Sequence, residues 1–287
     1  MLEKANVRLN DAAIQVSEWF RKKGFRTCIL KGQGNALLYP NPYSRTPGDI
    51  DIWVEGGDKR VISFVRSISP HEKACYHHIE FPSYKGVEVE VHYRPSFLLC
   101  FWHNRKLQKY YERVKEEQFS HRVMLGEQGE IAIPTVEFNL IFQLTHIYAH
   151  LMNEGIGLRQ LLDYYNVLIS DDLSLIRDRV QKELKELGLW KFAGGIMYIM
   201  QEVFGMPASR LIVPPNEKYG KFVLNEVLEA GNFGRHDARN RFGRSKLGHN
   251  LQRVYRDIRL VRYFPAEALC EPLFRTWHFF WRLKYKK

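Results

Sequence analysis

The first third of the chain alternates short apolar stretches with polar segments, a pattern typical of a small sheet covered by helices. Amphipathic spacing predicts an opening helix that ends near Gly24. Four strands are then predicted, over 27–32, 49–54, 76–81 and 86–93, with a turn at 82–85 between the last two. The segment 39–47 is rich in proline and asparagine, so it must be a loop.

After Tyr93 the apolar residues change to helical spacing. This spacing predicts helices over 135–169, 173–187, 190–204 and 219–230, with Gly155 and Gly157 dividing the first of these stretches in two. The glycine-rich and basic segment 231–250 is predicted to be a loop that leads into a final helical region. The chain is therefore predicted to be α+β, with a strand-containing domain over 1–134 and a helical domain over 135–287.

Charge is concentrated near the C-terminus. The 287-residue chain has a formal net charge of +11, and residues 231–287 hold 14 Lys and Arg against 4 Asp and Glu, whereas residues 1–230 are nearly neutral. Such a basic field attracts a triphosphate, a nucleic-acid backbone or an anionic lipid surface. The alternative is an ordinary solvated face on a C-terminal helical segment.

The cysteines, Cys28, Cys75, Cys100 and Cys270, lie far apart and form no CxxC pair. We therefore expect neither a disulfide framework nor a thiolate zinc site. The charged N-terminal segment has no apolar core of the kind that signal peptides carry, and no long uncharged apolar stretch follows. These features predict a cytoplasmic protein.

Carboxylates are placed together on the strand pattern. Asp49 and Asp51 are two residues apart on one predicted strand, so their side chains point to the same face. If the strand 86–93 is a neighbour, Glu90 completes a cluster of oxygen ligands, and Glu88 on the same face is its rival. Mg²⁺ is normally held by a few carboxylates together with substrate phosphates. The pattern predicts a magnesium site, although such acids also occur on solvated strand faces.

Further motifs surround these acids and continue into the helical half. They are Leu30-Lys31-Gly32, Tyr39-Pro40, Arg45, Gly48-Asp49-Ile50-Asp51, Glu90-Val91-His92, and the segments 155–163, 262–267 and 277–281. In combination they resemble the nucleotidyltransferase superfamily with the polymerase-beta-like fold. The match is closer to an uncharacterised bacterial branch with Leu-Lys-Gly and Gly-Asp-Ile-Asp motifs. Two positions depart from the wider superfamily, since Gln33 replaces a usual Ser and Glu90 a commoner Asp.

The resemblance covers most of the chain and implies a small mixed β-sheet in a catalytic domain over 1–134. It also implies roles for the matched residues. Asp49, Asp51 and Glu90 would bind Mg²⁺ or Mn²⁺ and carry the catalysis. Residues that would contact the triphosphate of an NTP such as ATP are Gly32, Gln33, Lys31, Arg45 and Arg159. From the residues alone, Lys31 could equally lie on the surface, and Arg159 could pair with Asp163 on its own helix.

The implied reaction transfers an NMP from an NTP to a hydroxyl of an unidentified small-molecule acceptor and releases pyrophosphate. An alternative acceptor is a tRNA or a protein, with the basic segment 235–262 tracking phosphates. Another alternative is a non-catalytic interaction protein docked on a membrane. The tail supports either an interfacial helix or, as we favour, a helix whose aromatic stripe packs on the helical domain; the stripe is Phe274, Trp277, Phe280 and Trp281.

Overall fold

The computed structural model describes residues 1–127, 129–230, 239 and 246–285, and it confirms the predicted α+β class. The chain divides into two compact units. The first comprises Met1–Pro95, Gln108–Asn139 and Phe280–Lys287, and the second Ser96–Leu107 and Leu140–Phe279. None of the described helices has both the length and the hydrophobicity that crossing a membrane requires.

The first unit holds all the described strands. Its elements, in chain order, are α1 (Leu2–Lys22), β1 (Thr27–Leu30), α2 (Gly32–Ala36), β2 (Ile50–Val54), α3 (Gly57–Ile68), β3 (His78–Tyr84), β4 (Val87–His92), the larger part of α4 (Phe101–Ser120), β5 (Arg122–Met124) and β6 (Glu130–Ala132). A short 3₁₀ turn at Pro42–Ser44 lies in the predicted proline-rich loop.

The main sheet has four strands in the order β1-β2-β4-β3. β1 and β2 are antiparallel, β2 and β4 are parallel, and β4 and β3 are antiparallel, so the sheet is mixed, as the resemblance implies. The aliphatic side chains of β2 and β4 belong to one core cluster with residues of α1 and α3. Because side chains alternate along a strand, the polar residues of β2 and β4 lie on the opposite face of the sheet.

The hairpin between β3 and β4 differs from the prediction. The sequence pattern predicts the turn at 82–85, but β3 continues to Tyr84 and the chain reverses at Lys85 and Gly86. Both residues have positive φ, 51° and 76°, as a two-residue hairpin turn of type I′ requires. Pro82 is accommodated because β3 is an edge strand with an irregular register between Phe81 and Tyr84.

The second unit is helical. Its elements are α5 (Val136–Asn153), which begins in the first unit, and α6 (Leu158–Ile169), α7 (Arg177–Glu186), α8 (Trp190–Glu202), α9 (Glu217–Ala230), α10 (Lys246–Val261) and α11 (Pro265–Lys284), whose last residues belong to the first unit. Short 3₁₀ turns occur at Leu173–Leu175 and Ala208–Arg210. The break between α5 and α6 falls at Gly155 and Gly157, as predicted.

The prediction of a loop over 231–250 is wrong at its C-terminal end, because α10 already begins at Lys246. Gly248 indicated a loop, but a helix tolerates an internal glycine at a cost of about 1 kcal/mol. The remainder of the segment lies outside the described residues apart from Arg239.

The aromatic stripe of α11 is only partly buried. Phe274 is 5% exposed and stacks on Phe97, with ring centroids 5.3 Å apart, inside the second unit. Trp281 packs against the core cluster of the first unit. Trp277 and Phe280 are 40% and 63% exposed. The predicted packing on the helical domain therefore holds for Phe274, whereas it is wrong for Trp281, which packs on the strand-containing unit instead.

Candidate active site

β2 and β4 bring the acidic residues together. The strands are parallel neighbours, and Asp51 pairs with Glu90 in their register. One carboxylate oxygen from each of Asp49, Asp51 and Glu90 lies within 4.8 Å of the others. Glu88 is exposed to solvent and stands two residues before Glu90. The acids that meet are thus the three that the sequence singles out, which we call the acidic trio.

Two basic side chains hold Asp51 from opposite sides. Lys31 Nζ lies 3.0 Å from Asp51 Oδ2, and His92 Nε2 lies 2.9 Å from Asp51 Oδ1. His92 Nε2 also approaches Glu90 Oε2 at 3.4 Å. Asp51 and His92 are 4% and 2% exposed, so these contacts are shielded from water. The trio therefore presents three carboxylates to two basic groups and keeps a surplus of negative charge.

The pKa values reflect this crowding. The charge of Asp51 and burial raise the pKa of Asp49. Burial is the largest single influence on Glu90 and opposes its ionisation, but the hydrogen bond from His92 and the Coulomb attraction of the neighbouring histidines together lower its pKa. Burial likewise opposes protonation of His92, yet its bonds to Asp51 and Glu90 raise its pKa to about 9. Without another cation, the negative charge of the trio is thus offset only in part, by the imidazolium of His92 and by Lys31.

The turn after β1 lies against the acidic strand. Lys31 has a φ of 49° and Gly32 a φ of 38°, both positive. A Cβ at Gly32 would lie 3.6 Å from the main-chain oxygen of Asp49, so the turn passes close to the trio. The Lys31 side chain is 19% exposed and points to Asp51. Of the two interpretations of Lys31, a surface position is therefore wrong, and its contact with a triphosphate stays a prediction.

The other predicted triphosphate contacts are placed differently. The Gln33 side chain is buried and donates a hydrogen bond to Asn10 Oδ1 of α1, which leaves only its backbone N–H for the predicted role. Arg45 is 6% exposed, and its main-chain oxygen accepts a hydrogen bond of 2.9 Å from Asn6. Arg159 lies near the start of α6 in the second unit and is half-buried. The roles of these three residues stay predictions.

Two histidines lie at the site, although neither is among the residues predicted to bind the metal or the triphosphate. His92 follows Glu90 at i+2, so the alternation of β4 already places it on the acidic face. On β3, His78 Nδ1 lies 3.4 Å from Glu90 Oε2. Burial, followed by the nearby His92, lowers the pKa of His78 to about 4 and keeps its ring neutral. Strand alternation could have found His92, whereas the contact of His78 depends on the β3–β4 register.

A cavity of about 460 Å³ opens in the first unit beyond the carboxyl ends of β2 and β4. Its wall includes Trp53, which lies on the same face of β2 as Asp51. Other lining residues are Glu55, Asp58, Tyr93, Arg94, Tyr111 and Lys115. The wall therefore combines aromatic rings with charges of both signs, and the volume lies in the range of small-molecule sites.

A family model described as uncharacterised nucleotidyltransferase matches residues 1–205. The chain belongs to this family. The family predicted from the sequence is thus confirmed, and the protein is a nucleotidyltransferase, a class that generally uses an NTP and a divalent metal ion.

Other comparisons add little. The chain is similar to the crystal structure of an antigenic nucleotidyltransferase-like protein from Paracoccidioides brasiliensis, at 13% identity and a TM-score of 0.37, over 72% of this chain and 94% of that one. Likeness at this level has no weight for function. No curated protein matches the chain.

Proposed function

We propose that this nucleotidyltransferase transfers an NMP from an NTP to a hydroxyl of a small-molecule acceptor and releases pyrophosphate, with Mg²⁺ bound at the acidic trio. Residues 1–134 would be its catalytic domain. The observation that carries the proposal is the convergence of three carboxylates: Asp49 directly before β2, Asp51 in β2, and Glu90 in the neighbouring parallel strand β4.

The donor set fits a hard divalent cation. Mg²⁺ prefers carboxylate oxygens and is usually held by one or two carboxylates together with substrate phosphates and water. The trio offers three carboxylates with a surplus of negative charge, and the Coulomb repulsion that raises the pKa of Asp49 is what a divalent ion would relieve. When bound, the ion would lower the pKa of the acceptor hydroxyl and offset the charge of the phosphates.

The chain's own residues would position the reactants. The hydroxyl oxygen of the acceptor forms a bond to the α-phosphorus, while the bond from that phosphorus to the oxygen bridging to the β-phosphate breaks. The hydroxyl proton passes to a carboxylate oxygen of Glu90 and then to water. His92 would keep Asp51 and Glu90 oriented, and Lys31, which lies 3.0 Å from Asp51, would turn towards the leaving pyrophosphate.

The cavity beyond β2 and β4 supports a small acceptor. Its volume suits a molecule of that size, and Trp53 in its wall is two residues from Asp51 on the same strand face. The basic C-terminal segment offers less support for a tRNA or protein acceptor, because part of its charge is used internally. Arg239 and Arg259 both pair with Glu226, at 2.8 and 3.0 Å.

The proposal is tested by incubating the protein with each α-labelled NTP, with and without Mg²⁺, alone and with a cell extract. The expected result is release of pyrophosphate and transfer of label to a low-mass compound, only when Mg²⁺ is present. The Asp49→Asn/Asp51→Asn double variant should be inactive, and Glu88→Gln is the matched control because Glu88 is exposed and outside the trio.

Three results would contradict parts of the proposal. Label in RNA or protein, lost steeply as salt rises, would replace the small acceptor by a macromolecular one. Transfer that survives in the double variant would move the active site away from the trio. Binding to anionic liposomes with no NTP turnover in any extract would favour the non-catalytic membrane protein.

A further inference from the structure

A second group of metal-ligating side chains lies in the turn before β3. Cys75 N donates a hydrogen bond of 2.9 Å to His78 O, and Ala74 forms a bridge with Ile79, so Tyr76 and the following residue close a tight hairpin. Residues that face each other in an antiparallel pair project their side chains to the same face. The backbone therefore sets the side chains of Cys75 and His78 next to each other.

The rest of the unit holds this turn in place. Tyr93 Oη donates to Cys75 O, and Arg94 Nη1 donates to Tyr76 O at 2.7 Å. The backbone N–H groups of Tyr93 and Arg94 both donate to His77 O, at 3.0 and 3.1 Å. Three successive carbonyls of the turn are thus bonded to the chain that follows β4. A turn held in this way keeps its side chains near fixed positions without a ligand.

The side chains converge on one point. Cys75 Sγ lies 3.4 Å from His77 Nδ1, and His77 Nε2 lies 3.0 Å from His78 Nδ1. One ligand atom from each of the three residues lies within 4.8 Å of the others. All three residues are half-buried.

We propose that Cys75, His77 and His78 bind Zn²⁺ at a site distinct from the acidic trio. Zinc takes thiolate sulfur and imidazole nitrogen, whereas magnesium takes oxygen, so the two groups select different ions. Three protein ligands leave a fourth position for water or another ligand, as in zinc sites that exchange ligands.

This site differs from the expectation drawn from cysteine spacing. The prediction of no thiolate zinc site rests on the absence of cysteine pairs, whereas the site proposed here combines one thiol with two imidazoles. The zinc site also has a connection to the trio, because His78 Nδ1 lies 3.4 Å from Glu90 Oε2. Zinc bound to His78 would compete with Glu90 for that ring, and zinc occupancy would then alter the geometry of the nucleotidyl-transfer site.

The test uses Co²⁺ as a spectroscopic probe for Zn²⁺ in the full-length protein after removal of metals. One equivalent of Co²⁺ should produce a thiolate-to-cobalt charge-transfer band in the near ultraviolet and the visible bands of a tetrahedral ion. One equivalent of Zn²⁺ should abolish both, and excess Mg²⁺ should abolish neither. Cys75→Ser should remove the charge-transfer band, and His77→Asn should weaken Co²⁺ binding by about 100-fold.

Two control variants show whether the band comes from these three residues. His71→Asn changes an exposed histidine outside the cluster and should leave the spectrum unchanged. Asp49→Asn/Asp51→Asn should keep the charge-transfer band, so the result does not depend on the proposed transfer reaction. A band that persists in Cys75→Ser, or wild-type protein that shows no band, would overturn the zinc site. Thermal unfolding of each variant identifies any that fail to fold, and His77→Asn then serves in place of Cys75→Ser.

Discussion

Each unit contains buried carboxylates bonded to basic side chains, but the charge balance differs. In the second unit, Glu226 is 7% exposed and meets two guanidinium groups, those of Arg239 and Arg259. In the first unit, three carboxylates share one lysine and one imidazole. A carboxylate with an excess of fixed cations is already neutralised and holds helices together. A cluster with an excess of carboxylates favours a further cation, which the proposed Mg²⁺ would supply.

The largest expected effect concerns the trio itself. Asp49→Asn/Asp51→Asn should lower NMP transfer by about 1,000-fold, because it removes the charges that would hold the metal against the phosphates. The metal-free protein should also lose some stability, because Asp51 is the buried charged acceptor of Lys31 and His92, although relief of the repulsion between the two acids offsets part of this loss. Label transfer and thermal unfolding measure the two effects. A variant that loses activity only because it unfolds would remove the distinction between the two kinds of cluster.

The next effect distinguishes the two glutamates of β4. Glu90→Gln should lower transfer by about 100-fold and weaken the dependence on Mg²⁺, because only Glu90 belongs to the trio. Glu88→Gln, two residues away and exposed, should change transfer by less than about twofold. Steady-state kinetics over a range of Mg²⁺ concentrations gives both values. Equal losses in the two variants would mean that the strand face as a whole, not the trio, matters.

A smaller effect is expected in the second unit. Glu226→Gln should lower the free energy of unfolding by about 2 kcal/mol, because two guanidinium groups lose a charged acceptor. The activity of the folded variant should be unchanged. Chemical denaturation and transfer assays below the unfolding transition check the two statements. Loss of activity without loss of stability would assign Glu226 to the reaction and contradict its structural role.

The smallest effect is expected at a second pair of acidic residues, Asp257 and Glu271. Burial and the neighbouring Glu271 raise the pKa of Asp257 to about 7. Since the ordinary value is 3.8, the wild-type protein gains stability from this group at low pH and loses it as the pH rises through about 7. Asp257→Asn should therefore be more stable than wild type by about 1 kcal/mol at pH 8, with the advantage gone near pH 4. Unfolding curves at both pH values measure this, and an advantage that persists at low pH would contradict it.

The sequence predicts the acidic strand well because the alternation of acidic and apolar residues is by itself the signal for a strand. Asp49 and Asp51 alternate with Ile50, Ile52 and Val54, and that period fixes both the strand and the common face of the acids. The strand that pairs with it cannot be predicted in the same way, because a parallel neighbour is not adjacent in the chain. Glu90 could be chosen over Glu88 only with the help of the resemblance, and the register of β2 and β4 decides between them.

Other parts could not be predicted from local pattern. The sequence pattern assigns no element to 94–134, where the structure has α4, β5 and β6. α4 buries polar residues such as Asn104 and Gln118 together with Tyr110 and Tyr111, so its polar and apolar residues do not form two clear faces. The place of His78 depends on a hairpin turn that the sequence pattern places three residues too early.

Lys31 has a consequence for how this position can evolve. A lysine with positive φ is strained by about 1 kcal/mol relative to glycine, yet it brings its ammonium to Asp51. The backbone conformation at position 31 thus favours glycine, whereas the charge of the site favours lysine. Selection of variant libraries for thermal stability alone should enrich glycine at position 31, whereas selection for turnover should retain lysine. The strain at this residue is therefore a trade-off between stability and function.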